Sequence, residues 1–219
     1  MLNEQIQNLK KSVIDQAKLV ESMIMLSMTG LTEKDQASLE KVYELENQVN
    51  HQDLVIEEEA ISLIALQKPE AKNLRLILMI IAMNKDLERM GDQAVNIADD
   101  AQYLIRKPEV KKLINLPVMA EETLKMLRNA IHAFIEENVK LARQVCIDDD
   151  VVDNLKEQIY RLLITYMLDD PGTIKRAFCI NNISSNLERI ADLSTNIAEE
   201  TIYMTEGRVI KHKAELTQN

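Results

Sequence analysis

Apolar residues recur along this chain every three to four positions, the spacing of one face of an α-helix. Ile6, Leu9, Val13, Ala17, Val20 and Ile24 form the first stripe and predict a helix over residues 3–29, ended by Gly30. TEKD at 32–35 resembles a helix cap with an acid at the third helical position. A second helical stretch follows to Leu66, with Leu39, Val42, Leu45, Val49, Ile56, Ile61 and Ile64 on its apolar face. A kink or break is expected at 44–47, where that stripe loses phase. Pro69 then stands near the first turn of a third helix, over 70–105. RKPEVKKLINLP at 106–117, with two prolines and a basic cluster, is the best domain boundary.

The order then repeats. A fourth helix is predicted over 119–145, with Leu127, Ile131, Phe134, Ala142 and Val145 on one side. A fifth runs from the acids at 148–150, which suit a helix N-terminus, to about 167. DDPG at 169–172 is a turn, a sixth helix covers 173–205, and 207–219 is a polar tail. The organisation expected is therefore a first unit over 1–107, a linker over 108–118, a second unit over 119–206, and the tail. The fold class is all-α, as two tandem three-helix bundles.

Duplication is explicit in the third and sixth helices. DLERMGDQAVNIADDA at 86–101 returns as NLERIADLSTNIAEET at 186–201, with seven of sixteen positions identical. On a helical wheel Glu88, Asp92, Asn96 and Asp99 fall within roughly 80° of one another, and Leu87, Met90, Ala94, Ile97 and Ala101 take the opposite side. Each copy thus pairs a core stripe with a row of side-chain oxygens. Like charges at i and i+4 repel, and a repeated row of this kind invites a cation, although a solvated helix face has the same pattern.

A row on one helix needs a facing partner to enclose an ion. Asp149 and Asp153 stand at i and i+4 on the fifth helix, and Glu46 and Asn50, followed by His51 and Asp53, occupy the corresponding stretch of the second. If these helices pack as antiparallel neighbours, each unit brings two rows together. Carboxylate and amide oxygens suit Mg, Ca, Mn or Fe. Taken alone, Asp149 and Asp153 would also serve as helix-capping acids.

Composition narrows the function. Four Gly, no Trp and 3% aromatic residues speak against sheets, and a net charge of −10 with no basic block speaks against nucleic-acid binding. Cys146 and Cys179 have no CxxC partner and read as core residues in a reducing compartment. The N-terminal residues have no signal-peptide core. LRLILMIIAM at 74–83 is too short to span a bilayer and reads as a buried helix or a subunit contact. His132 lacks a carboxylate at ligand spacing and reads as structural or exposed. No Walker A, HExxH, nucleophile elbow or Glu-x-x-His motif is present, so no catalytic residue is assigned.

LERMGDQAVNIAD at 87–99 and LERIADLSTNIAE at 187–199 resemble the paired signatures of the PhoU family, accessory regulators of bacterial phosphate uptake. The resemblance covers about residues 3–207. It implies two three-helix bundles that bind metal, often iron or zinc, through Glu/Asp-x3-Asp motifs. The motif falls on Glu88 and Asp92, on Glu188 and Asp192, and on Asp149 with Asp153; Glu46 and Asn50 make the fourth copy. Asn96, Asp99, Asn196 and Glu199 are accessory candidates. Asn50 departs from the pattern and leaves the first unit one anionic ligand short, so the second unit is expected to hold the tighter site. The resemblance further implies a cytoplasmic homodimer that couples the phosphate transporter's ATPase to the phosphate sensor histidine kinase and represses the phosphate-starvation response. Two alternatives stand beside it: a metal-dependent phosphohydrolase-like enzyme on a helical scaffold, and a metal-free helical adaptor.

Overall fold

The computed structural model describes residues 2–110 and 115–206, all of whose regular structure is helical. The expected tail at 207–219 and part of the linker, 111–114, lie outside the described residues. The helices are α1 (Leu2–Thr32), α2 (Gln36–Gln67), α3 (Ala71–Leu104), α4 (Asn115–Glu136), α5 (Val139–Asp169) and α6 (Ile174–Glu206), with a single 3-10 turn at Pro171–Thr173 before the last.

Three boundaries differ from expectation, each for a local reason. Gly30 does not end α1 but lies buried in its last turn, because Leu39 of α2 packs where a Cβ would stand. The chain turns at Lys34, in the left-handed region with φ 56°, and Asp35 caps α2 by accepting from the Ala37 N–H at 3.0 Å and the Ser38 hydroxyl at 2.6 Å. No break occurs at 44–47: α2 is one continuous helix. Its apolar stripe loses phase because it packs on both α1 and α3: Glu46 and Asp53 turn towards α3, while Gln52 donates to the Ser12 carbonyl of α1 at 2.8 Å.

The third difference moves the fourth and fifth helices. Their boundary falls at Glu137 and Asn138, not at 146–148. Glu137 is left-handed (φ 53°), and Asn138 accepts from the Leu141 N–H at 3.0 Å. Lys34 and Glu137 lie 103 residues apart, as do the caps Asp35 and Asn138, so the duplication extends to this turn. Asp148 to Asp150 are therefore mid-helix and cap nothing. At the other end α4 starts at Asn115, with Pro117 in its first turn, where a missing N–H costs little.

Each trio of helices packs mutually, and the two bundles join through α3 against α6 and α1 against α4. One contiguous Leu, Ile, Met and Ala core runs through both. α3 and α6 are antiparallel. At one end Lys175 lies 4.6 Å from the Tyr103 ring and Arg176 donates to the Pro108 carbonyl at 2.7 Å; at the other Asp86 is hydrogen-bonded to Asn196. Within 74–83 the residues Ile77, Met79, Ile80 and Met83 are buried, while Leu78 is exposed. Among the described residues no helix is long and apolar enough to cross a membrane. Cys146 and Cys179 are buried free thiols, both pushed up to about 12, chiefly by burial.

Candidate functional site

The antiparallel packing brings together the rows that the sequence placed on separate helices. In the first bundle α2 presents Tyr43, Glu46, Asn50 and Asp53 towards Glu88, Asp92 and Asp99 of α3. Tyr43 donates to Asp99 Oδ1 at 2.7 Å, and burial with that bond raises the phenol well above its usual range. Burial, then Asp92 and Asp99, raise the Glu46 carboxyl. Glu88 is likewise raised by burial and by Asp92 and Asp53, against Lys85 and Arg89. Asp53 accepts from the Asn84 amide at 2.6 Å and is raised by burial, although Lys85 opposes the shift.

In the second bundle Asp149 and Asp153 of α5 face Glu188 and Asp192 of α6. Asp149 is buried, at 6% exposure, and stands mid-helix in α5, which rules out the capping role open to it from sequence. Asp192 is pushed up to about 6, first by burial and then by Glu188, Asp149 and Asp153, with Lys156 opposing. Lys156 Nζ sits 2.9 Å from Glu188 Oε1. Glu199 lies near Cys146, whose thiol it helps to raise. Asn196 is engaged by Asp86 across the bundle interface and Asn96 is exposed, so neither amide is drawn into a row.

The α2 and α5 rows match at the same 103-residue offset as the turns. Tyr43 matches Cys146, Glu46 matches Asp149, Asn50 matches Asp153, and Asp53 matches Lys156. Sequence reasoning noted Asp53 in passing and missed Lys156. The signal was present in the continued helical spacing, one turn beyond Asn50 and Asp153. Asp53 restores to the first row the charge that Asn50 removes, and Lys156 offsets charge in the second. The reason for expecting the second site to be the tighter thus no longer holds.

The donor set suits a hard cation: carboxylate oxygens from two helices, held close enough to raise one another's proton affinity. Among the described residues no three Asp, Glu, His or Cys side chains converge on one point closely enough to ligate an ion as they stand. Asp92, Asp153 and Asp192 are exposed, so their side chains are free to rotate inward. Chemically the residues fit a metal whose positive charge would relieve the repulsion within the row.

Comparison with known proteins completes the picture. The family model described as the PhoU domain matches twice, at residues 13–101 and 116–201. A phosphate-specific transport system accessory protein PhoU homolog of Aquifex aeolicus is 38% identical, over 97% of this chain and 96% of its own. The crystal structure of PhoU from Pseudomonas aeruginosa superposes with a TM-score of 0.92 at 31% identity, covering 95% of this chain and 100% of that one. The phosphate transport system regulatory protein PhoU from Streptococcus pneumoniae gives 0.89 at 25% identity, over 97% and 100%. Two domain matches, a near-complete superposition and near full-length relatives agree: the chain belongs to the PhoU family.

Proposed function

We propose that this protein is an accessory regulator of phosphate transport that works by binding and not by turnover. One observation carries the reading: the Aquifex aeolicus relative, described as a phosphate-specific transport system accessory protein, matches at 38% identity over nearly the whole of both chains. The partners expected are the cytoplasmic ATPase of the phosphate transporter and the phosphate sensor histidine kinase, met by a cytoplasmic homodimer. The protein then acts as a negative regulator of the starvation response. The paired two-helix faces support this, since exposed helical faces suit docking onto other helices.

Iron or zinc is the cofactor expected, with Mg, Mn or Ca as hard-cation alternatives. In the first bundle Glu46, Asp53, Glu88 and Asp92 would hold it, with Asn50 and Asp99 beside them. In the second bundle Asp149, Asp153, Glu188 and Asp192 would do so. Bound there, a metal supplies positive charge that fixes the two helices of a face against each other. The protein's own part is positional: α2 and α3, or α5 and α6, hold the carboxylates opposite one another, and Lys156 partly takes the cation's role in the second row. In cells deleted for this protein, phosphate-starvation genes should stay on when phosphate is plentiful, read by a reporter for one such gene. Normal repression in the deletion strain would overturn the reading. Metal-dependent hydrolysis of a phosphate ester, lost on Asp192→Asn, would replace it with an enzyme.

A further inference from the structure

The acidic rows fill only half of each two-helix face. On α5 the phase of Asp149, Asp153 and Lys156 continues through Tyr160 and Ile164, and on α6 the phase of Asp192 and Glu188 continues back through Phe178 and Ile174. Lys156 opposite Glu188 fixes the antiparallel register, so these four apolar residues lie on one side of one helix pair. All four are exposed, Phe178 most at 61%. The chain has only two phenylalanines, and the other, Phe134, is fully buried. An aromatic held in solvent within an apolar stripe marks a contact surface. The first face carries Ile61 and Leu78 at matching places, but Glu57 and Lys85, 3.8 Å apart, stand where the second has Tyr160 and Ser185. An ion pair therefore separates its apolar stripe from its acidic row.

We propose that the α5/α6 face docks an amphipathic helix of a partner protein. The partner's apolar residues, spaced i and i+3 or i+4, seat on Tyr160, Ile164, Ile174 and Phe178, and in the metal-free protein Lys or Arg at one end of that helix takes the cation's place over the acidic row. Charge complementarity selects this occupant. The stripe runs straight into Asp149, Asp153, Glu188 and Asp192, offset in the structure by Lys156 alone among the residues that shift Asp192. A second copy seated over the whole face would bring its own acids against them, in a chain of net charge −10. An anionic lipid surface would meet the same repulsion. The groove between two antiparallel helices accepts a third helix by ridge-and-groove packing. The proposal rests on the protein-binding reading above and names the face and the chemistry of its ligand.

The test uses the metal-free, full-length protein and a labelled Leu/Lys peptide of about 18 residues in helical register, long enough to hold a helix on contact. Fluorescence anisotropy should show binding, with no binding by the same peptide carrying Glu in place of Lys. The double variant Ile164→Glu/Phe178→Glu should weaken binding by about tenfold or more, whereas Ile61→Glu/Leu78→Glu should change it less than about threefold. All four substituted residues are exposed, and thermal melts check that each variant folds. Equal losses in the two variants, or no loss in either, would overturn the proposal. So would a wild-type dimer that Phe178→Glu converts to a monomer with peptide binding intact, which would give the face to a second copy. The peptide measurement is independent of the deletion strain: normal repression there removes the phosphate reading and leaves the docking face standing.

Discussion

Asp53 and Lys156 occupy equivalent turns of α2 and α5, and most of what separates the two bundles follows from that pair. In the first bundle Asp53 adds a carboxylate beside Glu88, and the nearest cation, Lys85, is shared with Glu57 at 3.8 Å. In the second, Lys156 closes on Glu188 at 2.9 Å and sits over the row that raises Asp192. The first face is left with carboxylates lacking a lysine of their own at that turn. The second supplies its own counter-charge and, one turn further, trades Glu57 and Lys85 for Tyr160 and Ser185. A duplicated scaffold has kept its helices and diverged in the chemistry of its faces; we propose that the first is the stronger cation site and the second the docking face.

The bundles also differ where no ligand is involved, and this difference gives the largest expected effect. Gly30 and Leu39 pack against each other in the first bundle, and the matching positions in the second are Ala133 and Ala142, both fully buried. The pairs exchange volume: a large side chain faces glycine on one side, and two small ones meet on the other. Gly30→Ala should cost about 1–3 kcal/mol by overpacking. In a double-mutant cycle by urea denaturation, Leu39→Ala should be coupled favourably to it by at least ~0.5 kcal/mol. Strict additivity would mean that the pairs are not volume-compensated.

A smaller effect separates Asp86 from its counterpart Asn186. Asp86 lies at the α3/α6 contact with its side chain 14% exposed, and burial pushes it up to about 6, against Arg89 and Asn196 and with help from Glu200. The folded state therefore holds this proton more tightly than the unfolded chain. Its penalty is absent below the unfolded value of 3.8 and grows until pH passes about 6. Asp86→Asn, which makes the two copies alike, should stabilise the protein at neutral pH by about 1–2 kcal/mol after solvent screening, and not at all well below the unfolded value. Denaturant midpoints measured on both sides of that window check the sign.

How much of this was legible from sequence depends on whether the signal was local. The repeat in α3 and α6, the apolar stripes and the facing of Glu46 with Asp92 and of Asp149 with Asp192 all follow from spacing along single helices plus antiparallel packing. The α4–α5 turn was not legible, because Glu137 and Asn138 carry neither glycine nor proline, while Asp148 to Asp150 imitate a helix start. Gly30 misled in the opposite direction, since its use is close approach to Leu39 and not helix termination. Lys156 looks like any exposed lysine until α6 lies across from it. Pairwise electrostatics between helices is a property of packing, and the chain order does not display it.

The divergence of the two faces is tested most directly by calorimetric titration of the metal-free, full-length protein with manganese, a hard divalent probe. Wild type, Asp92→Asn and Asp192→Asn should be compared under one set of conditions. Asp92→Asn should weaken the tighter binding step by about fivefold to tenfold, the loss of one charge-assisted contact, and Asp192→Asn should leave that step unchanged. Loss of the tighter step in Asp192→Asn alone would place the stronger site in the second bundle and contradict the assignment. Identical titrations for all three proteins would show both rows to be solvated faces.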